Sequence, residues 1–195
     1  MANKDAAFGL KPVRQVGGSP YSGGQSRYRI ANNLSGAIFQ GDLVKQVTGG
    51  GIERAAASNT VPLVGVFNGV QYTDPTSGEQ VFSNHYPGSI AADDIIAFVI
   101  DDPRVVFEVQ ADAAFPVADL FGNFDIVDQS TTGDVKSGQS NLELDVTTGA
   151  TTNTLPLKAI DISQDPDNDD VGSANTNVLV VIQNHIFGQG SGGLA

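Results

Sequence analysis

The chain has 195 residues, of which 40% are hydrophobic, and a formal net charge of −12. This length suits one domain or two small ones with a hydrophobic core, and the longest apolar runs are too short to span a bilayer. The sequence contains no cysteine, which excludes disulfide bonds, thiolate metal sites and cysteine nucleophiles.

The charge is divided unevenly at Arg29. Residues 1–29 carry five basic groups and one acidic group, a net +4, whereas the rest of the chain carries five basic and 21 acidic groups, a net −16. Residues 17–24 are mostly Gly, Ser and Pro, a composition that buries too little apolar surface to fold alone. We therefore predict an extended, basic N-terminal arm over 1–29 that docks onto a large acidic surface. The partner-binding candidates are the basic and tyrosine residues of this arm: Lys4, Lys11, Arg14, Tyr21, Arg27, Tyr28 and Arg29.

An alternative stays open for the end of the arm, because residues 26–30 also suit the first strand of the body. An acidic body repels a phosphate backbone, so we expect no direct binding of nucleic acid. Residues 1–5 lack the apolar core of a signal peptide, so we do not expect export by that route.

Short strand patterns separated by Gly, Asn and Asp fill the body after the arm. Residues 61–70 predict a longer strand closed by a turn at Asn68-Gly69, and residues 95–100 predict a strand buried on both faces. Further strands are predicted over 27–30, 42–47, 51–54, 105–110, 124–127, 142–144, 157–162 and 178–182. The pattern predicts an all-β sandwich or barrel over 30–187, built as one body or as two small β subdomains.

Helical signals are confined to one turn at 115–122, with Pro116 near its start and Gly122 just past its end. The Thr-, Ser- and Gly-rich segments 130–138 and 146–153 predict surface loops. Residues 188–195 predict a flexible, Gly-rich tail.

Nothing in the sequence assembles a catalytic site. His85 and His185 lie 100 residues apart without partner motifs, and general acid–base catalysis needs positioned partners, so we interpret both as structural or surface residues. No Gly-x-Ser-x-Gly elbow and no phosphate-binding glycine loop is present. We predict a protein that is not an enzyme and uses no cofactor.

Alternating acids at Asp165, Asp167 and Asp169 raise the question of a Ca²⁺ site, since Ca²⁺ takes six to eight oxygen ligands. An EF-hand loop would need Gly at position 170 and Glu at position 176, where this chain has Asp170 and Thr176. We interpret residues 165–170 as a solvated acidic turn and predict no metal site.

Residues 41–44, 50–55 and 61–66 (Gly-Asp-Leu-Val, Gly-Gly-Ile-Glu-Arg-Ala and Val-Pro-Leu-Val-Gly-Val) resemble the head-decoration, or capsid cement, proteins of tailed bacteriophages. In physical terms, Gly41-Asp42 turns the chain into a strand, Gly49–51 make a hairpin, and Gly65 allows close approach to a neighbouring strand. Residues 165–168 and 172–185 also resemble virion-associated proteins of short-tailed and marine phages.

The resemblance implies a β-tulip or jelly-roll body and a homo-oligomer, most often a trimer. Its partner would be the major capsid protein, reached in part by an N-terminal arm, on the outer surface of the virion. The expected function is non-enzymatic stabilisation of the assembled icosahedral capsid. The alternative is a glycan- or receptor-binding head-fibre or tail accessory module, for which the chain offers no Trp and only four Tyr. A hydrolase would need an acid–base constellation that these residues do not supply.

Overall fold

The computed structural model describes residues 2–127 and 133–188. Strands make up 45% of the chain and helix 2%, so the all-β prediction is confirmed. The predicted helical turn is also present, as one turn of 3-10 helix at Val117–Asp119. No helix in the described ranges is long and apolar enough to cross a membrane.

The described residues form sixteen strands. In chain order they are β1 (Lys11–Gln15), β2 (Ser26–Arg29), β3 (Ile38–Phe39), β4 (Leu43–Val47), β5 (Gly51–Arg54), β6 (Leu63–Thr73), β7 (Gln80–Ser83), β8 (His85–Tyr86), β9 (Ile96–Ile100), β10 (Val105–Gln110), β11 (Asn123–Val127), β12 (Gly133–Asp134), β13 (Gln139–Ser140), β14 (Glu143–Ala150), β15 (Leu157–Ile162) and β16 (Asn177–Ile182).

The strands form two large antiparallel sheets. The first sheet has the order β1-β10-β16-β15-β11-β14. The second sheet has the order β2-β9-β6-β4-β5, and β7 pairs with the second half of the long strand β6. Two small ladders, β3–β8 and β12–β13, complete the pairing. No sheet closes into a barrel within the described part of the chain.

The two large sheets pack face to face as a sandwich. Leu43, Val66 and Ile100 of the second sheet lie in one apolar cluster with Phe107 and Leu144 of the first. The opposite face of the second sheet packs on a second cluster, to which Ile38 of β3 and Tyr86 of β8 contribute. The second sheet is therefore buried on both faces over much of its area, which explains its near-continuous apolar sequence.

The turn predicted at Asn68-Gly69 is wrong, because strand β6 runs through this pair. The strand continues to Thr73, and its register against β9 shifts between Phe67 and Gly69, so this pair forms a bulge. The close approach expected at Gly65 is confirmed: a Cβ there, at φ +155°, would lie 2.1 Å from the carbonyl oxygen of Ile100. An amino acid with a side chain at this position would force the two strands apart.

Two further expectations are wrong in detail. Residues 146–153 were expected to form a loop, but β14 runs to Ala150, where the hydroxyl of Thr148 accepts a hydrogen bond from Asp125 N at 2.8 Å. Threonine hydroxyls replace ladder bonds at this irregular edge. Residues 95–100 were expected to be buried on both faces, but Ile96 and Phe98 of β9 are only half-buried, whereas every residue of β10 is buried.

The segment predicted as a separate arm is built into both sheets. Strand β1 pairs with β10 at the edge of the first sheet, and β2 pairs with β9 at the edge of the second. The alternative that 26–30 form a strand of the body agrees with β2. Leu10 is buried, and its N–H donates to Gly41 O at 2.9 Å. The pairing of β1 and β2 and the burial of Leu10 thus attach this segment to the body, although the Gly-rich residues 17–24 between the two strands would not fold alone. The predicted tail falls outside the described residues from position 189 onward.

Candidate interaction surface

The predicted partner-binding residues separate into two groups in the structure. Lys4, Lys11 and Arg14 lie along the first sheet, and Arg27, Tyr28 and Arg29 lie on β2 in the second. Tyr21 lies between them and packs against the core cluster that the two sheets share.

The first group is engaged with the fold. The Lys11 ammonium lies 3.5 Å from the buried carboxylate of Glu108, which also accepts hydrogen bonds from Ser163 Oγ and Asn177 Nδ2. The Lys4 carbonyl accepts hydrogen bonds from Gln110 Nε2 at 2.9 Å and from Asn168 Nδ2 at 2.8 Å. This end of the chain therefore stabilises the first sheet.

The acidic turn 165–170 is also hydrogen-bonded to the N-terminal residues. Asn3 Nδ2 donates to Asp170 O at 2.8 Å, and Asp170 N donates back to Asn3 Oδ1 at 3.2 Å. The N–H of Gly172 and the hydroxyl of Ser173 bind the Asp170 carboxylate and lower its pKa. No group of three or more His, Cys, Asp or Glu side chains suited to a metal occurs in the described ranges. The prediction that this turn binds no Ca²⁺ stays a prediction.

The tyrosines also point into the fold. Tyr28 Oη donates to Asp101 Oδ2 at 2.8 Å, and burial, then this bond, raises the pKa of Tyr28. Tyr21 Oη donates to Gly24 O at 2.9 Å, and burial raises its pKa as well. Both hydroxyls are therefore hydrogen-bonded within the protein.

Arg27 and Arg29 are different, because they lie on an outward face of the second sheet. Residues directly opposite each other in antiparallel strands share a face. One row across β2, β9, β6 and β7 consists of Arg29, Ile96, Gln71 and Phe82, and the next consists of Arg27, Phe98 and Gly69. We call Arg27, Arg29, Ile96, Phe98 and Phe82 the arginine–aromatic face.

This face is a continuation of the one that the first sheet covers. Ile100, two residues beyond Phe98 on β9, is buried between the sheets, whereas Phe98 and Ile96 are half-buried and Phe82 is 66% exposed. The second sheet therefore extends past the sandwich. Exposed apolar surface rimmed by charge is typical of interaction sites.

The two arginines are free to pair with a partner. Within the described residues no carboxylate lies within 4.0 Å of either guanidinium, and the Arg27 guanidinium lies 5.7 Å from the centroid of the Phe98 ring. This cation–π contact orients the charge over the face. Arginine and aromatic residues are the side chains that contribute most to protein–protein interfaces.

Each histidine contacts an aromatic ring. The rings of His85 and Phe39 are stacked with centroids 5.6 Å apart. His185 is buried, its Nδ1 accepts a hydrogen bond from Phe187 N at 3.0 Å, and burial lowers its pKa. Both positions agree with the structural interpretation.

Sequence reasoning found the arginines of the face but missed Phe82, Ile96, Phe98 and Gly69. These four come from three different strands, β6, β7 and β9, and only the pairing register brings them together. An alternation of side chains in 80–83 was the one available signal. No protein-family model, curated protein or solved structure matches this chain.

Proposed function

We propose that the chain is a non-enzymatic virion structural protein that binds and stabilises the assembled capsid of a tailed bacteriophage. The observation that supports this most is the arginine–aromatic face, where two unpaired cations and two aromatic rings lie on an exposed part of an otherwise acidic molecule. A ligand that binds the assembled shell better than its free subunits stabilises assembly by mass action.

The residues that carry the resemblance to decoration proteins support the same proposal. They form β4, β5 and the first part of β6, which are the strands at the other end of the second sheet from β2. These strands belong to the sheet that carries the arginine–aromatic face. The resemblance therefore supports the fold of this sheet, and the face is the part proposed to contact the capsid.

In this proposal the partner is the major capsid protein, and the chain lies on the outer surface of the virion. We also propose that the chain forms a homotrimer. A trimer has three weak contacts with the shell, so a contact that is lost can form again while the other two still hold the molecule. Val117 and Phe121, 58% and 71% exposed at the end of the first sheet, are candidates for contact between copies.

The test is binding of full-length protein to undecorated heads, measured by co-sedimentation at increasing salt. We expect Arg27→Gln/Arg29→Gln to weaken binding about tenfold and to leave the free energy of unfolding within about 0.5 kcal/mol of wild type. Arg104→Gln is the matched control, because Arg104 is an exposed arginine away from the face. Equal binding by the double variant and wild type would contradict docking through this face.

The glycan- or receptor-binding alternative has one specific observation in its favour. A cleft of about 360 Å³ lies between Tyr28, Ile52 and Val64 of the second sheet and Phe187, which is 57% exposed. Aromatic walls of this kind suit a small apolar or sugar ligand. In the same head-binding assay Phe187→Ala should behave as wild type, and a loss of binding would shift support to this cleft.

A further inference from the structure

A notch lies within the arginine–aromatic face, between the rings of Phe98 and Phe82. It is a depression open to solvent, with a volume of about 300 Å³, at the lower end of the range of ligand sites. Its floor at Gly69 has no side chain, and a Cβ there would lie 3.1 Å from the carbonyl oxygen of Ser83, at φ +158°. The bulge in β6 thus opens a gap in the side-chain layer where the strand register would otherwise place a third side chain.

The walls of the notch are held in place by side-chain amides. Asn68 Nδ2 donates to Gln25 Oε1 at 2.8 Å, and Asn68 Oδ1 accepts from Gln40 Nε2 at 2.9 Å. On the other side Asn84 Nδ2 donates to Ser137 O. Because these amides are already bonded within the protein, the notch offers shape and apolar ends more than free polar groups.

The charge beside the notch is positive. Arg27 lies over Phe98 at its edge, and Arg29 is in the next row. Asp94, which accepts from the N–H and hydroxyl of Thr73, keeps its charge but lies one row beyond Arg29 on this face, so both arginines are closer to the notch. Asp101 accepts from Tyr28 Oη on the opposite face of the sheet. The notch is therefore complementary to an acidic partner, whereas most of the surface, at −16 beyond Arg29, would repel one.

We propose that the notch receives one bulky apolar side chain from a short acidic segment of a partner polypeptide, and that carboxylates flanking that side chain pair with Arg27 and Arg29. A buried apolar anchor with charged neighbours is how interface energy concentrates in a few residues. The identity of the partner as the capsid shell rests on the proposed function; the chemistry of the segment rests on the notch alone.

A single-stranded nucleic acid also combines stacking bases with negative charge. It is disfavoured because a strand longer than the notch would run onto the acidic body, and Arg27 and Arg29 are the only basic side chains of this face among the described residues. A short peptide touches the face alone. The two partners therefore give different outcomes in one experiment.

The experiment is an NMR titration of ¹⁵N-labelled full-length protein with synthetic probes. The first probe is a heptapeptide with a central phenylalanine flanked by aspartates. In the second a serine replaces the phenylalanine, in the third lysines replace the aspartates, and the fourth is a short oligothymidylate. We expect amide shifts grouped at Gly69, Phe82, Phe98 and Arg27 with the first probe and not with the others.

Phe82→Ala should weaken the first peptide about fivefold, Phe82→Tyr should retain its binding, and Phe187→Ala should match wild type. Absence of shifts at millimolar peptide, equal shifts with the serine peptide, or shifts with oligothymidylate would each overturn the proposal. Peptide binding by a protein that does not bind heads would support the notch and contradict the capsid function. If Phe82→Ala binds heads as well as wild type does, the capsid function is supported and the notch is contradicted as the contact site.

Discussion

Strands β1 and β2 are both basic edge strands from the same N-terminal segment, yet the fold uses them in opposite ways. On β1, Lys11 pairs with the buried Glu108 inside the first sheet. On β2, Arg27 and Arg29 have no carboxylate partner among the described residues, and Arg27 lies over the half-buried ring of Phe98. A cluster of like charge in a sequence therefore does not have one role. The neighbouring strand decides whether each cation is paired within the fold or remains exposed without a carboxylate partner.

The largest expected effect on stability comes from deleting residues 2–15, which removes β1 and the hydrogen bonds made by Asn3 and Lys4. The deletion exposes the site of Leu10, removes Lys11 from Glu108, and leaves the side chain of Gln110 without its partners at Lys4 and Ala6. We expect a loss of about 4 kcal/mol or more in the free energy of unfolding and a fall in Tm of about 10 °C. Calorimetry of the deletion variant measures this. An unchanged Tm would show that these residues form a dispensable arm and would remove the contrast with β2.

The second effect concerns Asp42, where the N-terminal segment meets the second sheet. Burial raises the pKa of Asp42 to about 6, opposed by hydrogen bonds from Phe39 N and Ser140 Oγ and by the charge of Arg54. The unfolded chain loses this proton near pH 4 and the folded protein near pH 6. The stabilisation from the proton is therefore complete below pH 4 and lost as the pH rises through 6.

Asp42→Asn should remove this dependence. We expect the stability of wild type relative to Asp42→Asn to fall by about 3 kcal/mol between pH 3.5 and pH 7.5. Urea denaturation of the two proteins across this range measures the difference. Parallel curves for the two proteins would contradict the raised pKa.

The smallest effect separates the two partners of the β1 ion pair. Glu108→Ala leaves Ser163 and Asn177 without a buried acceptor and should cost about 2 kcal/mol. Lys11→Ala removes an exposed ammonium and should cost no more than about 1 kcal/mol. Urea denaturation of both single variants makes the comparison. Equal losses would mean that the exposed charge, and not the buried network, holds β1 in place.

Much of the fold could be predicted from the sequence, because strand signals are local. Strands β10 and β15 have the predicted bounds, and the glycines at 49–51 form the predicted hairpin between β4 and β5. The errors occur where tertiary pairing overrides local signals. Asn68-Gly69 favours a turn, but β7 and β9 pair on either side of it and turn it into a bulge.

The candidate surface was only half predictable. The charges of Arg27 and Arg29 are visible in the sequence, whereas their separation from Lys11 depends on two different sheets. Phe82 and Phe98 become neighbours of these arginines only through the register of three ladders. Nothing within a few residues of either phenylalanine signals that the first sheet stops short of it.

The strand order also determines when each sheet can form during synthesis of the chain. Residues 26–100 contain every strand of the second sheet, so this sheet can form as soon as they leave the ribosome. The first sheet has to wait, because β10 needs β16, which begins about 70 residues after β10 ends. At 5–20 residues per second that delay is roughly 3–14 s. During it, one edge of β10, in which every residue is buried in the folded protein, is open to other chains, and the completed second sheet is the surface on which β10 can lie until β16 arrives.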